Sequence, residues 1–185
     1  MAEHRSMQRA ALLDAARTLL SEGGTEALTF PALAERTGLA RSSVYEYFRS
    51  RAAVVEELCA VDFPVWAAEV AAAMAAVAGP EAKVEAYVRK QLELVGDRRH
   101  RAVVAISASE LDAGAREKIR AAHGELVAMI IEALGELGHS QPRLAAMLLQ
   151  GVVDAAVRRI ELGAAEEPPV IAEAAVGMIL RGVRG

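Results

Sequence analysis

Aromatic residues are scarce in this chain: 4% of 185 residues, with one Trp, three Tyr and three Phe. A core must therefore be assembled from Ala, Val, Leu, Ile and Met, side chains that suit close-packed helices. Strand-like alternation is nowhere sustained, which leaves an all-α fold. Cysteine is nearly absent as well. Cys59 stands alone, so no disulfide forms within the chain and no zinc site can rest on thiolates. It reads as a small buried apolar residue. The four histidines, His4, His100, His123 and His139, lack the i,i+3 or i,i+4 spacing of a metal-binding helix. HExxH, GxSxG, P-loop and dinucleotide motifs are missing too. Glu110 and Asp112 are close in sequence, but acids at a helix end are ordinarily solvated or capping. An enzyme, a metal and a bound cofactor are therefore not expected.

Long uncharged apolar runs are also lacking. The most apolar stretch, Val61 to Ala78, contains Asp62, Pro64 and Glu69 and is a poor membrane span. Met1 to Arg5 has no apolar core of the kind a secretory signal needs. The expectation is a soluble, cytoplasmic protein with no membrane partner. Nor is there an excess of positive charge: the net is −4, which on its face argues against nucleic acid. The distribution is more informative. Residues 1–51 hold seven Arg against six Asp or Glu, a net of +1, and the remainder carries −5. A local basic footprint is permitted near the N-terminus. A hydrophobic content of 54% excludes a disordered chain, and 185 residues suffice for one or two small domains.

The stretch Thr29 to Phe48 reads as two short helices around a tight turn. Thr29 can cap the first helix through its hydroxyl, and Pro31 sits early, where a missing N–H costs little. Leu33, Ala34 and Thr37 recur at helical spacing. Gly38 then supplies the positive φ that a sharp helix end needs. In the second helix Val44 and Phe48 share one face, while Arg41, Ser42 and Tyr45 lie on another. A helix-turn-helix asks for these residue types in this order, with the second helix presenting polar and aromatic groups to a major groove.

Leu33-Ala34, Gly38-Leu39, the Val44-Tyr45-Glu46-Tyr47-Phe48 run and the basic Arg49-Ser50-Arg51 resemble the TetR family of bacterial transcriptional regulators. The resemblance covers roughly the first quarter of the chain. It implies a three-helix DNA-binding head over residues 6–50, with its helix-turn-helix at 29–48. A helical effector-binding and dimerisation body over 51–185 would follow, about nine helices in all. It also implies a regulator, by family default a repressor released by a ligand, that binds a palindromic operator in double-stranded DNA as a homodimer.

The periodicity places a first helix from about Ser6 to Glu22, ended by Gly23-Gly24. A long helix should start near Arg51 and run through Ala67–Ala78, bent at Pro64, to a stop at Gly79-Pro80. Further helices are expected over about Glu81–Val95, Arg98–Glu110, from an Asp112 cap to Gly138, Gln141–Leu162 and Pro169–Arg181. The last two carry small residues on apolar faces, among them Ala145, Gly151, Ala155, Ala174 and Gly177. Paired with a second copy, they could form a four-helix dimer interface.

Arg41 is the best candidate for base reading, because a guanidinium pairs bidentately with guanine. Ser42 and Tyr45 share its face. Ser43 and Tyr47 lie on the flank and could donate to phosphates; Tyr47 could instead be partly buried against the first helix. By resemblance Thr29 and Arg51, at the starts of two helices, are phosphate contacts as well. An unknown small-molecule effector is expected in the body. Its candidate lining is Phe63, Trp66, Val70, Met74, Tyr87, Gln91, Ser107, Glu110, His123, Met129 and Gln150, each of which could equally be ordinary core or surface. An Ala-rich, aromatic-poor lining suits a small or flexible apolar molecule. The competing reading is a helical protein-interaction module whose helix-turn-helix-like corner binds no DNA.

Overall fold

The computed structural model describes residues 2–97, 99–100, 102–104, 106, 113–163 and 167–183, and no strand occurs among them. The helices are α1 (Ala2–Ala27), α2 (Phe30–Thr37), α3 (Arg41–Tyr47), α4 (Arg51–Ala75), α5 (Pro80–Gly96), α6 (Ala113–Glu136), α7 (Pro142–Glu161) and α8 (Pro168–Val183). The chain divides into two compact units, Met1–Phe63 with Asp97–Arg120 and Pro64–Gly96 with Ala121–Gly185.

In the first unit the apolar stripe of α1 is buried at Leu12, Ala16, Leu19 and Leu20, and Leu33 of α2, Val44 of α3 and Val54, Val55 and Leu58 of α4 are buried too. Each such aliphatic side chain contributes about 1.5–3 kcal/mol by leaving water. α1 begins at Ala2, earlier than Ser6, and carries on to Ala27. The expected break survives as a kink at Gly24, whose φ of 67° and ψ of −159° lie outside the helical region. Polar residues at the exposed start of α1 do not stop it, because the stripe beginning at Leu12 already anchors the helix.

The second unit is packed by size. Val84, Tyr87, Val88 and Leu92 of α5 recur at helical spacing. They join Val70 and Met74 of α4, Ile130, Ala133 and Leu134 of α6, Leu149 and Val153 of α7, and Val176 and Ile179 of α8 in one buried cluster. α5 starts at Pro80 after Gly79, whose φ is 86°. α6 closes at a left-handed Gly138: its N–H donates to the Gly135 carbonyl at 2.9 Å and that of His139 to Leu134 at 3.1 Å.

α4 ends at Ala75, three residues before the expected Ala78. By length and composition it could cross a membrane, with an 18-residue window of mean hydropathy 1.5. Its polar groups are instead matched by protein: Asp62 pairs with Arg17 in the first unit, and Glu69 with Lys90 at 3.0 Å in the second. Of the stretch expected as a helix over 98–110, residues 99–100, 102–104 and 106 are helical. The remainder, and the Asp112 cap, lie outside the described residues.

Candidate nucleic-acid interface

α2 and α3 are set by local chemistry. The Thr29 hydroxyl accepts the Ala32 N–H at 3.3 Å, and the Thr29 carbonyl accepts the Leu33 N–H at 2.9 Å. Such a cap contributes about 1 kcal/mol. At the other end Gly38 has φ 69° and ψ 15°. Its N–H donates to the Glu35 carbonyl at 3.4 Å, and the Leu39 N–H donates to Ala34 at 3.1 Å. These two bonds satisfy carbonyls that the helix leaves open and turn the chain sharply toward α3. Val44 and Phe48 point inward, fully buried, and leave the other face of α3 in solvent.

On that face Arg41, Ser42 and Tyr45 are exposed, and Ser43 is half-buried on the flank. Tyr45 is not a free-standing side chain. Half its surface is covered, and its ring lies against Phe30 of α2, centroids 4.6 Å apart and tilted by 58°. Tyr47 is half-buried, as its alternative reading allowed. Its hydroxyl donates to Gln8 Oε1 of α1, and the Arg5 guanidinium lies over its ring, 5.7 Å from the centroid. The phenol proton expected for a phosphate is held by α1 in this structure. Thr29 is exposed and Arg51 half-buried at the first residue of α4. Ser50 caps that helix, accepting the Ala53 N–H at 3.2 Å.

Six of the arginines in Met1–Phe63 sort into two groups. Met1–Phe63 contains seven Arg and no Lys. Three of the seven are held by carboxylates across helices. Arg9 pairs with both oxygens of Glu57, and Arg36 with Glu22. Arg17 is bidentate on Asp62, with Nε at 2.9 Å from Oδ2, and also donates to Asp14 at 2.9 Å. Hydrogen bonds to these carboxylates hold the three guanidinium pKa values above the usual arginine value. Arg5, Arg41 and Arg49 meet no carboxylate among the described residues. These three flank α3, at its first residue, just past its last, and against a carbonyl of its final turn. Polyanions are attracted by charge that is not already neutralised. Arg49 was visible in the sequence as part of the Arg49-Ser50-Arg51 run. Arg5 had no signal there, because nothing local distinguishes it from Arg9.

Residues 12–58 match the model of the bacterial regulatory proteins of the tetR family. The chain carries a tetR-family N-terminal domain. The match is to bacterial regulators and covers residues 12–58. The fold is shared with solved structures of low identity. One is the tetR-family transcriptional regulator PfmR from Thermus thermophilus (19% identity, TM-score 0.75, 92% of this chain and 97% of that one). A second is AibR, solved with isovaleryl coenzyme A and operator DNA (19%, 0.75, 92% and 97%). The superantigen PfiT has the same fold (20%, 0.78, 92% and 95%). No curated protein matches.

The expected effector lining is distributed over the two units. Phe63 lies in the first unit; Trp66, Val70, Met74, Tyr87, Gln91, Met129 and Gln150 lie in the second. Val70, Met74 and Tyr87 are core residues. The Tyr87 hydroxyl donates to Gln150 Oε1 at 3.1 Å, and the Gln150 amide donates to Asp154 at 2.9 Å. Gln91 faces Gln150 at 3.5 Å. Burial pushes the Tyr87 phenol up to about 12. Ser107 and Glu110 lie outside the described residues, as does the side chain of His123. A cavity of about 420 Å³ opens between α4 and α6, bordered by Pro64, Ala67, Ala68, Ala71, Glu125, Leu126 and Met129. Of the expected lining, Met129 borders it. Sequence reading missed the rest of this wall because its alanines carry no signal of their own. A second cavity, about 320 Å³, lies where the start of α7 meets the end of α8, beside Leu144, Leu148 and Met178.

Proposed function

We propose that the chain is a dimeric repressor that binds a palindromic operator and is released from it by a small apolar effector. The observation that carries the reading is Arg41. It opens α3 directly after the Gly38 turn, exposed and without a carboxylate partner among the described residues. Arg41 reads guanine, Ser42 and Tyr45 read or pack beside it, and Thr29, Ser43 and Arg51 line the phosphates. One seven-residue helix reads too few base pairs for useful specificity, so two copies act together. α7 and α8 support this pairing. Leu144, Met147, Leu148 and Met178 are exposed there, Met147 to 63%, beside exposed Gly151, Ala155 and Ala174. Exposed apolar side chains in such number mark an association surface.

The effector reading rests on the body's Ala-walled cavity and on AibR, which was solved with an acyl coenzyme A. A small compound with an apolar acyl chain is the class we assign. Effector binding would alter the spacing of the two α3 helices, and half-sites about 34–36 Å apart tolerate little change. Operation in the cytoplasm follows from the same reading. The test is a mobility-shift titration on a duplex from the DNA upstream of the chain's own reading frame. Wild type shifts it, and Arg41→Ala loses about 1–3 kcal/mol per half-site on the cognate sequence. Equal binding by the two proteins would reject Arg41 as the reader. Absence of any shift at low salt would reject the DNA reading itself.

A further inference from the structure

We propose that α1 is part of the DNA interface, with Arg5 contacting a backbone phosphate beside the end of α3. The inference rests on the DNA reading above and adds a residue and an element to it. Arg5, Gln8 and Arg9 occupy neighbouring positions on one face of α1, and all three grip the end of α3. The Arg5 Nη2 donates to the Glu46 carbonyl at 3.4 Å. That carbonyl belongs to the last turn of α3, where the helix itself offers no donor. Gln8 holds the Tyr47 hydroxyl, and Arg9 lies over the Phe48 ring, 5.1 Å from its centroid.

The two arginines then differ in one respect that decides their roles. Arg9 is bidentate on Glu57, so its charge is neutralised within the protein. Arg5 rests on a carbonyl and a ring, neither of which removes its charge, and it is exposed. A guanidinium has five N–H donors, and Arg5 uses one here. Four remain for a phosphate, together with a full positive charge. Tyr47, whose proton is committed to Gln8, becomes a positioning residue that keeps α3 and Arg5 in register. Arg5 supplies the anion contact at that edge.

The experiment measures affinity by fluorescence anisotropy over a series of salt concentrations. The probes are a labelled duplex from upstream of the chain's own reading frame and a scrambled duplex of the same composition. Arg5→Ala should weaken both duplexes by the same factor and lower the slope of log K against log salt by ~0.9 per protomer. Its melting temperature should fall less than that of Arg9→Ala. Arg5→Lys should restore the slope. Arg9→Ala, the control from the same face, should lose thermal stability and keep the slope. If Arg5→Ala and Arg5→Lys both kept the wild-type slope while Arg41→Ala lost the cognate duplex, the inference would fall and the DNA reading would stand. If Arg9→Ala lowered the slope as much as Arg5→Ala, the effect would be one of folding and the inference would fall as well. If wild type bound neither duplex, both would fall together.

Discussion

The first unit holds five of the seven aromatic residues within Met1–Phe63, and the second is packed almost wholly from Ala, Val, Leu, Ile and Met. The first also ties its helices with oriented ion pairs: Arg9 to Glu57 and Arg17 to Asp62 from α1 to α4, and Arg36 to Glu22 from α2 to α1. The second has its cross-helix pairs too, Lys83 to Glu136, Lys90 to Glu69 and Arg89 to Glu173, but none of them is as buried as Arg17–Asp62. Aromatic rings and a sheltered bidentate pair such as Arg17–Asp62 accept few geometries, whereas small aliphatic side chains accept many. A surface that must match the fixed spacing of a duplex gains from the first kind of packing. Under the proposed function, a body that opens for an effector gains from the second.

The comparison breaks most readily at the Arg17–Asp62 pair. Asp62 is buried, and its side chain and that of Arg17 are 10% and 17% exposed. Asp62→Ala should destabilise by about 3 kcal/mol, read as a lower denaturant midpoint, because it leaves a largely covered guanidinium with the exposed Asp14 alone. A loss under 1 kcal/mol would place this pair with ordinary surface bridges and erase the contrast drawn here.

A smaller effect tests the second unit. Tyr87→Phe removes one hydrogen bond to Gln150, and Gln150 keeps Asp154 and Gln91 nearby, so the cost should be about 1 kcal/mol. The phenol is raised from 10.0 to about 12 by burial. A raised value means that this contribution is complete below pH 10.0 and is lost as pH climbs toward about 12. The alkaline loss of stability should therefore be shallower in Tyr87→Phe than in wild type, measured by thermal melts across that range. Equal slopes would show that the phenol is not sheltered.

The least perturbing measurement concerns Cys59. Burial first, and the neighbouring Asp62 second, push its thiol from 9.0 to about 12. The thiolate is the reactive form, so iodoacetamide should label the native protein far more slowly than the unfolded one. Rapid native labelling would mean that the packing over Cys59 opens often.

The turn at Gly38, the Thr29 cap, the inward Val44 and Phe48 and the outward Arg41 were all legible in the residues, and so was the helical periodicity of α5. Each depends on neighbours within about one helical turn. The extra length of α1, the stacking of Tyr45 on Phe30 and the cavity beside Met129 were not. Val70, Met74 and Tyr87 read equally well as pocket or core, and packing made them core.

Chain-local chemistry thus established helices, caps, the sharp corner and the inner and outer faces of α3. Folding chose which charges stay available. Gln8 meets Tyr47 across 39 residues, Arg17 meets Asp62 across 45 and Arg9 meets Glu57 across 48. Neutralisation falls off steeply with distance, so the same residue type is inert at Arg9 and available at Arg5, and no reading of neighbouring positions could tell the two apart.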